Sequence, residues 1–179
     1  PPAPDDGPYD GRYAWSDGLY EGEYYNRAFG VRAGDQQYAL TGLSSGTRSG
    51  RGIEGYMTPG AFTLGAYGVE DDQAAYARYE PGDMDRLQLG VYRDRVDGPD
   101  ALVSLSGFLR RYDAANIDFE AAAGPDAASN HAFTLGVEGE VPGFSYDLNV
   151  ERATPDFEGA RRDYEYYGVS STLEIASDV

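Results

Sequence analysis

The side chains best placed to do chemistry in this chain are carboxylates at short, even spacings: Asp118 with Glu120, Glu138 with Glu140, and Asp147 with Glu151. Even spacing puts both members of each set on one face of a β-strand, because successive side chains point to opposite faces. Acidic groups gathered on neighbouring strands have three possible uses. Lining a lumen, they would set up a negative field that prefers cations. Held about 5 to 9 Å apart, two of them would suit glycoside hydrolysis. On an outer face they would simply be solvated.

The remaining motifs are weaker. His131 is the single histidine, in Ser129-Asn130-His131 at the start of a run. A nucleophile needs a base held against it, and no supporting motif surrounds this pair, so a solvated loop histidine is expected and no catalytic residue is assigned. Gly50-Arg51-Gly52-Ile53-Glu54-Gly55 matches G-x-G-x-x-G, but no helix follows to offer its N-terminus to a phosphate. The acidic turns Asp5-Asp6, Asp71-Asp72 and Asp83 to Asp85 could attract Ca²⁺, without the spacing of a known calcium loop. No metal ligands are named and no cofactor is expected. Arg110-Arg111 and Arg161-Arg162 are expected to pair with nearby carboxylates. With no cysteine in the chain, disulfides and thiolate metal sites are excluded.

The elements that must carry these residues read as strands. Leu87, Leu89 and Val91 alternate with Arg86, Gln88 and Gly90; Val103 and Leu105 alternate with Ser104 and Ser106. Phe133, Leu135 and Val137 alternate with Thr134, Gly136 and Glu138, and Phe144, Tyr146, Leu148 and Val150 with Ser145, Asp147, Asn149 and Glu151. Further runs at 61–69, 117–121 and 167–175 keep the same period of two, the mark of a strand with one apolar face. Less regular stretches at 18–25, 28–34, 36–43, 51–58 and 74–80 bring the total to about 12 strands. Turn residues lie between the runs, among them Asp97-Gly98-Pro99, Pro142-Gly143 and Thr154-Pro155-Asp156. Long and short links alternate, as in an up-and-down meander. Residues 1–17, rich in Pro and Asp, form an expected extended leader before a β domain over 18–179.

Composition agrees with β structure and narrows the partners. The chain carries 24 Gly and 16 Tyr, the first poor in helices and the second favoured on pleated surfaces. Thirty-one Asp and Glu against 14 basic residues, all Arg, give a formal charge of −17. Such a surface repels a nucleic-acid backbone, so nucleic acid is excluded as a partner. No run of 18 apolar residues is present, so no transmembrane helix is expected.

Half-apolar strands must turn one face away from water. The faces opposite the apolar residues are small and hydrophilic, tyrosines (Tyr67, Tyr76, Tyr79, Tyr92, Tyr112, Tyr164, Tyr166) are expected near strand ends as an interfacial girdle, and the runs match a tilted membrane span. On these patterns the chain resembles Gram-negative outer-membrane β-barrel proteins as a class, across residues 61–176 and more loosely 18–58. The resemblance implies an all-β antiparallel membrane barrel, or a segment of a larger one, in the outer membrane. It would serve as a passive channel or as the anchor of a surface assembly, not as an enzyme. Leu87, Leu89, Val91, Val103, Leu105, Phe133, Leu135 and Leu148 would then face lipid, and the carboxylates named above would line an acidic lumen. Its partners would be membrane lipid and either further subunits or the remainder of a larger barrel. The alternative is a secreted or cell-surface acidic β-sandwich, structural or carbohydrate-binding, with the apolar faces inside and tyrosines as stacking platforms.

Overall fold

A computed structural model describes residues 10–16, 19–82, 85–94, 101–111 and 115–174. They form one 12-stranded antiparallel sheet in which every strand pairs with its neighbours in sequence, β1 to β12 in order. The strands are β1 Asp10–Ser16, β2 Leu19–Tyr25, β3 Phe29–Ala39, β4 Thr47–Met57, β5 Phe62–Val69 and β6 Asp72–Tyr79. The second half comprises β7 Arg86–Asp94, β8 Leu102–Arg111, β9 Ala115–Ala123, β10 His131–Val141, β11 Phe144–Ala153 and β12 Tyr164–Leu173. The described residues contain no helix, and no described pairing joins β12 back to β1.

Two segments differ from the expected division. The stretches 28–34 and 36–43 merge into one strand, β3, which ends at Ala39 and leaves 40–43 in the following link; its pairing with β4 runs unbroken from Phe29↔Met57 to Ala39↔Thr47. Gly34-Asp35 looks like a turn because its neighbours are polar, yet Gly34 carries φ 126° within the ladder. Within the expected leader, Asp10–Ser16 is a strand paired with β2 along its length. Residues 1–9, Asp97-Gly98-Pro99, Tyr112 and Asp83 lie outside the described residues.

Turn chemistry fixes the register where links are short. Pro142-Gly143 joins β10 to β11 with Gly143 at φ 77°, the left-handed second position that a Pro-Gly turn requires. The hairpin then aligns Val141 with Phe144 and carries one parity along both strands. A one-residue slip would exchange the two faces entirely.

Those faces are chemically opposite, and the polar one holds the packed interior. Ile53 is 57% exposed, Leu89 53% and Val103 48%, all on the apolar face. On the other face Glu54 is 7% exposed, Gln88 6% and Ser104 1%. Phe29, Phe62, Tyr79 and Phe144 form an exposed aromatic row on the apolar face at the end of the sheet where the links are short. Phe62 and Tyr79 pack with ring centroids 4.7 Å apart and planes tilted by 31°.

Candidate functional site: the covered polar face

The β3–β4 link, residues 40–46, does not run outward. It folds over the polar face, leaving Leu40, Leu43, Ser44 and Ser45 buried. Backbone groups taken from water need new partners, and distant strands supply them. From β7, Gln88 Nε2 donates to the Leu40 carbonyl at 2.8 Å. From β5, the Tyr67 hydroxyl reaches Ser45 Oγ at 3.4 Å. From β9, Glu120 Oε1 accepts the Leu43 amide at 2.8 Å, and the Ser44 amide turns to Thr41 Oγ1 at 3.3 Å.

A second segment, 154–163 between β11 and β12, packs against the first. The Ala160 amide donates to the Leu43 carbonyl at 2.8 Å. Phe157 is completely buried, and Asn130 Oδ1 accepts the Glu158 amide at 3.2 Å. The Thr154 hydroxyl donates to carbonyls of Ser129 and His131, tying the base of this segment to the β9–β10 link. The polar face therefore curls around 40–46, which meets β5, β7, β9 and the β11–β12 link.

Beneath and beside this cover lie hydrogen-bonded charge clusters. Glu54 accepts from Arg32 through Oε2 and from the Tyr76 hydroxyl through Oε1 at 2.9 Å. Arg48 contacts Asp72 at 3.1 Å and Asp94 at 3.7 Å, and donates to the Tyr92 hydroxyl at 3.1 Å. Tyr92 in turn donates to Asp72 Oδ1 at 2.8 Å. Glycines make room for these rings: a Cβ on Gly65 would lie 2.4 Å from Tyr76 Cζ, and one on Gly30 2.3 Å from Tyr56 Cζ. Each glycine is the direct cross-strand partner of the tyrosine that covers it.

The tyrosine reading needs correcting accordingly. Tyr67, Tyr76 and Tyr92 are not an interfacial girdle; they share the polar face with Glu54, Ala74 and Gln88 and bond to its polar groups. Their parity within the runs, alongside Thr63 and Gly65, was the available signal. Tyr164 and Tyr166 also fall on the polar parity of β12, opposite Ala153 and Glu151. Tyr79 alone of the described set lies on the apolar face, in the aromatic row.

The acidic residues singled out by spacing all lie on the polar face. Register aligns Asp118 with Gly136, Glu120 with Thr134, Glu138 with Asp147, Glu140 with Ser145 and Glu151 with Thr134. They form no single cluster: Glu120 is engaged by the covering segment, Glu151 pairs with Arg161, and Glu138 accepts from Asn116 at 3.1 Å. Leu87, Leu89, Val91, Val103, Leu105, Phe133, Leu135 and Leu148 all lie on the apolar face, where Leu89↔Leu105 and Val91↔Val103 are direct pairs. Leu135 and Leu148 are half-buried there.

His131 opens β10 on the apolar parity. Its Nδ1 is buried without a hydrogen-bond partner, so the solvated histidine expected from sequence is corrected. The Ser129 hydroxyl is bonded to Asp126 Oδ2 at 3.1 Å rather than to the imidazole. Gly50 to Gly55 lies inside β4, where a Cβ on Gly52 would meet the Gly68 carbonyl oxygen at 2.4 Å; close strand approach accounts for that glycine. Of the acidic turns, Asp72 is held by Arg48 and Tyr92, and the described residues contain no group of His, Cys, Asp and Glu able to hold a metal ion.

Comparison of the chain with protein-family models, curated proteins and solved structures finds no match.

Proposed function

We propose that the chain is an outer-membrane β-barrel protein, or a wall segment of one, whose apolar face meets lipid and whose polar face borders a narrowed aqueous interior. One observation carries this reading: the sheet buries Glu54, Gln88 and Ser104 while leaving Ile53, Leu89, Val103 and Leu105 exposed. In water that inversion is costly, at about 25 cal/mol for each Å² of apolar surface left wet. In a bilayer it is the favourable arrangement. Strands of 8 to 11 residues from β3 to β12 suit a tilted crossing of the hydrocarbon layer. The aromatic row at Phe29, Phe62, Tyr79 and Phe144 fits one interface.

Within this reading the 40–46 segment narrows the interior, which favours a restricted passive channel over a wide pore. The acidic groups of β9 to β11 bias it toward cations. The competing secreted β-sandwich would need a second layer over the exposed apolar face. Gel migration tests the choice. A folded membrane barrel should require detergent for extraction and shift its migration on boiling in SDS. A chain that stays monomeric without detergent and migrates alike boiled or unboiled would overturn the proposal in favour of the secreted module.

A further inference from the structure

A cavity of about 380 Å³ opens on the polar face beside the start of the covering segment, with Leu40 and Gly42 on one side and β6 to β10 on the other. Its charged lining divides into two kinds. Arg78 donates from Nε to Gln88 Oε1 at 2.9 Å, and Glu120 accepts the Leu43 amide of the covering segment. Arg86 and Asp118 line the same cavity, and neither side chain has an ion-pair or hydrogen-bond partner among the described residues.

Register explains why these opposite charges stay apart. Arg86 on β7 aligns with Phe108 on β8, and Phe108 aligns with Asp118 on β9. They stand two strand spacings apart, about 10 Å between backbones, with an aromatic ring between them. Asp118 also leans the other way: a Cβ on Gly136 of β10 would lie 2.2 Å from Asp118 Oδ1, so its carboxylate rests over that glycine. Phe108 breaks the parity of its strand, an apolar ring in line with Ser104 and Ser106 on the polar face. A guanidinium, an apolar floor and a carboxylate thus follow one another along a single row.

We propose that this row binds a small organic zwitterion, an amino acid whose amine and carboxylate are separated by a hydrocarbon chain. The ligand carboxylate pairs with Arg86, its ammonium pairs with Asp118, and its methylenes cover Phe108. Charge-assisted hydrogen bonds at both ends supply affinity and orientation, and the cavity falls in the size range of small-ligand sites. The inference goes beyond the membrane reading and needs only the folded sheet.

The test is calorimetric titration of the folded chain with ε-aminocaproate, and separately with caproate and hexylamine. ε-Aminocaproate should bind saturably, with either singly charged analogue weaker by at least about tenfold. R86Q and D118N should each weaken ε-aminocaproate by a similar factor. Absence of saturable binding up to roughly 10 mM, or equal binding of caproate or hexylamine, would overturn the proposal. Both results come from the unmodified chain and stand even if a variant misfolds. Folded variants that bind undiminished would overturn it equally. Binding by a chain that needs no detergent would sink the membrane reading and leave this site standing.

Discussion

The polar face is built in two ways along the sheet. From β3 to β9 it is covered: Tyr38, Leu43, Tyr67 and Tyr92 are buried, Glu54 and Glu120 have their carboxylates occupied, and the 40–46 segment lies across them. From β10 to β12 it is open toward the short-link end: Glu138, Glu140 and Asp147 are exposed, as is every residue of β12 except Gly168, while Ala132 and Ala153 at the other end stay buried. Val169, on the apolar side of β12, is 80% exposed. The composition of the two stretches differs less than their surroundings do. A polar strand face becomes interior only where another segment closes over it and meets its hydrogen-bonding groups.

Substitutions in the two regions should therefore diverge. The largest loss is expected for Phe157→Ala, which removes a completely buried ring and should cost about 3–5 kcal/mol in denaturant unfolding. Glu54→Ala follows, at about 1–3 kcal/mol, because it strips the acceptor from Arg32 and Tyr76; Arg32 is partly exposed, so water recovers some of its share. Glu54→Gln should retain more stability than the alanine variant. Glu120→Ala is expected to cost about 1–2 kcal/mol and to speed hydrogen exchange at Leu43, whose amide it orphans. Unchanged exchange there would mean the segment is held in place by packing alone. On the open wall the sign should reverse. Glu138 and Asp147 are direct cross-strand neighbours of like charge, so Asp147→Asn should raise stability by about 0.5 kcal/mol, and added salt should shrink the gain.

The strands were legible because the period of two is written locally. Leu87, Leu89 and Val91 against Gln88 and Gly90 state both the element and its face, and register carries that parity from strand to strand. The covering of the polar face was not legible. The bond between Leu43 and Glu120 joins residues 77 apart in sequence, and Thr41-Gly42-Leu43-Ser44 reads locally as strand end or loop. The same long range hid the roles of Tyr76 and Tyr92, whose acceptors Glu54 and Asp72 lie 22 and 20 positions away. Phe108 could have been noticed, since it breaks the alternation of Ser104 and Ser106. The carboxylates share the polar face, but spacing could not distinguish Glu120, bonded to the Leu43 amide, from Asp118, left open.

On the proposed reading the exposed apolar face meets lipid while the polar face does not. The chain has no cysteine, so single cysteines placed at Leu89, Leu105, Ser106 and Thr134 can each carry one fluorophore. The decisive measurement is quenching of these four labels by lipids brominated along their acyl chains, in reconstituted vesicles. The account predicts strong quenching at Leu89 and Leu105 and little at Ser106 and Thr134, which share the polar face. Equal quenching at all four positions, or none at Leu89 and Leu105, would contradict it.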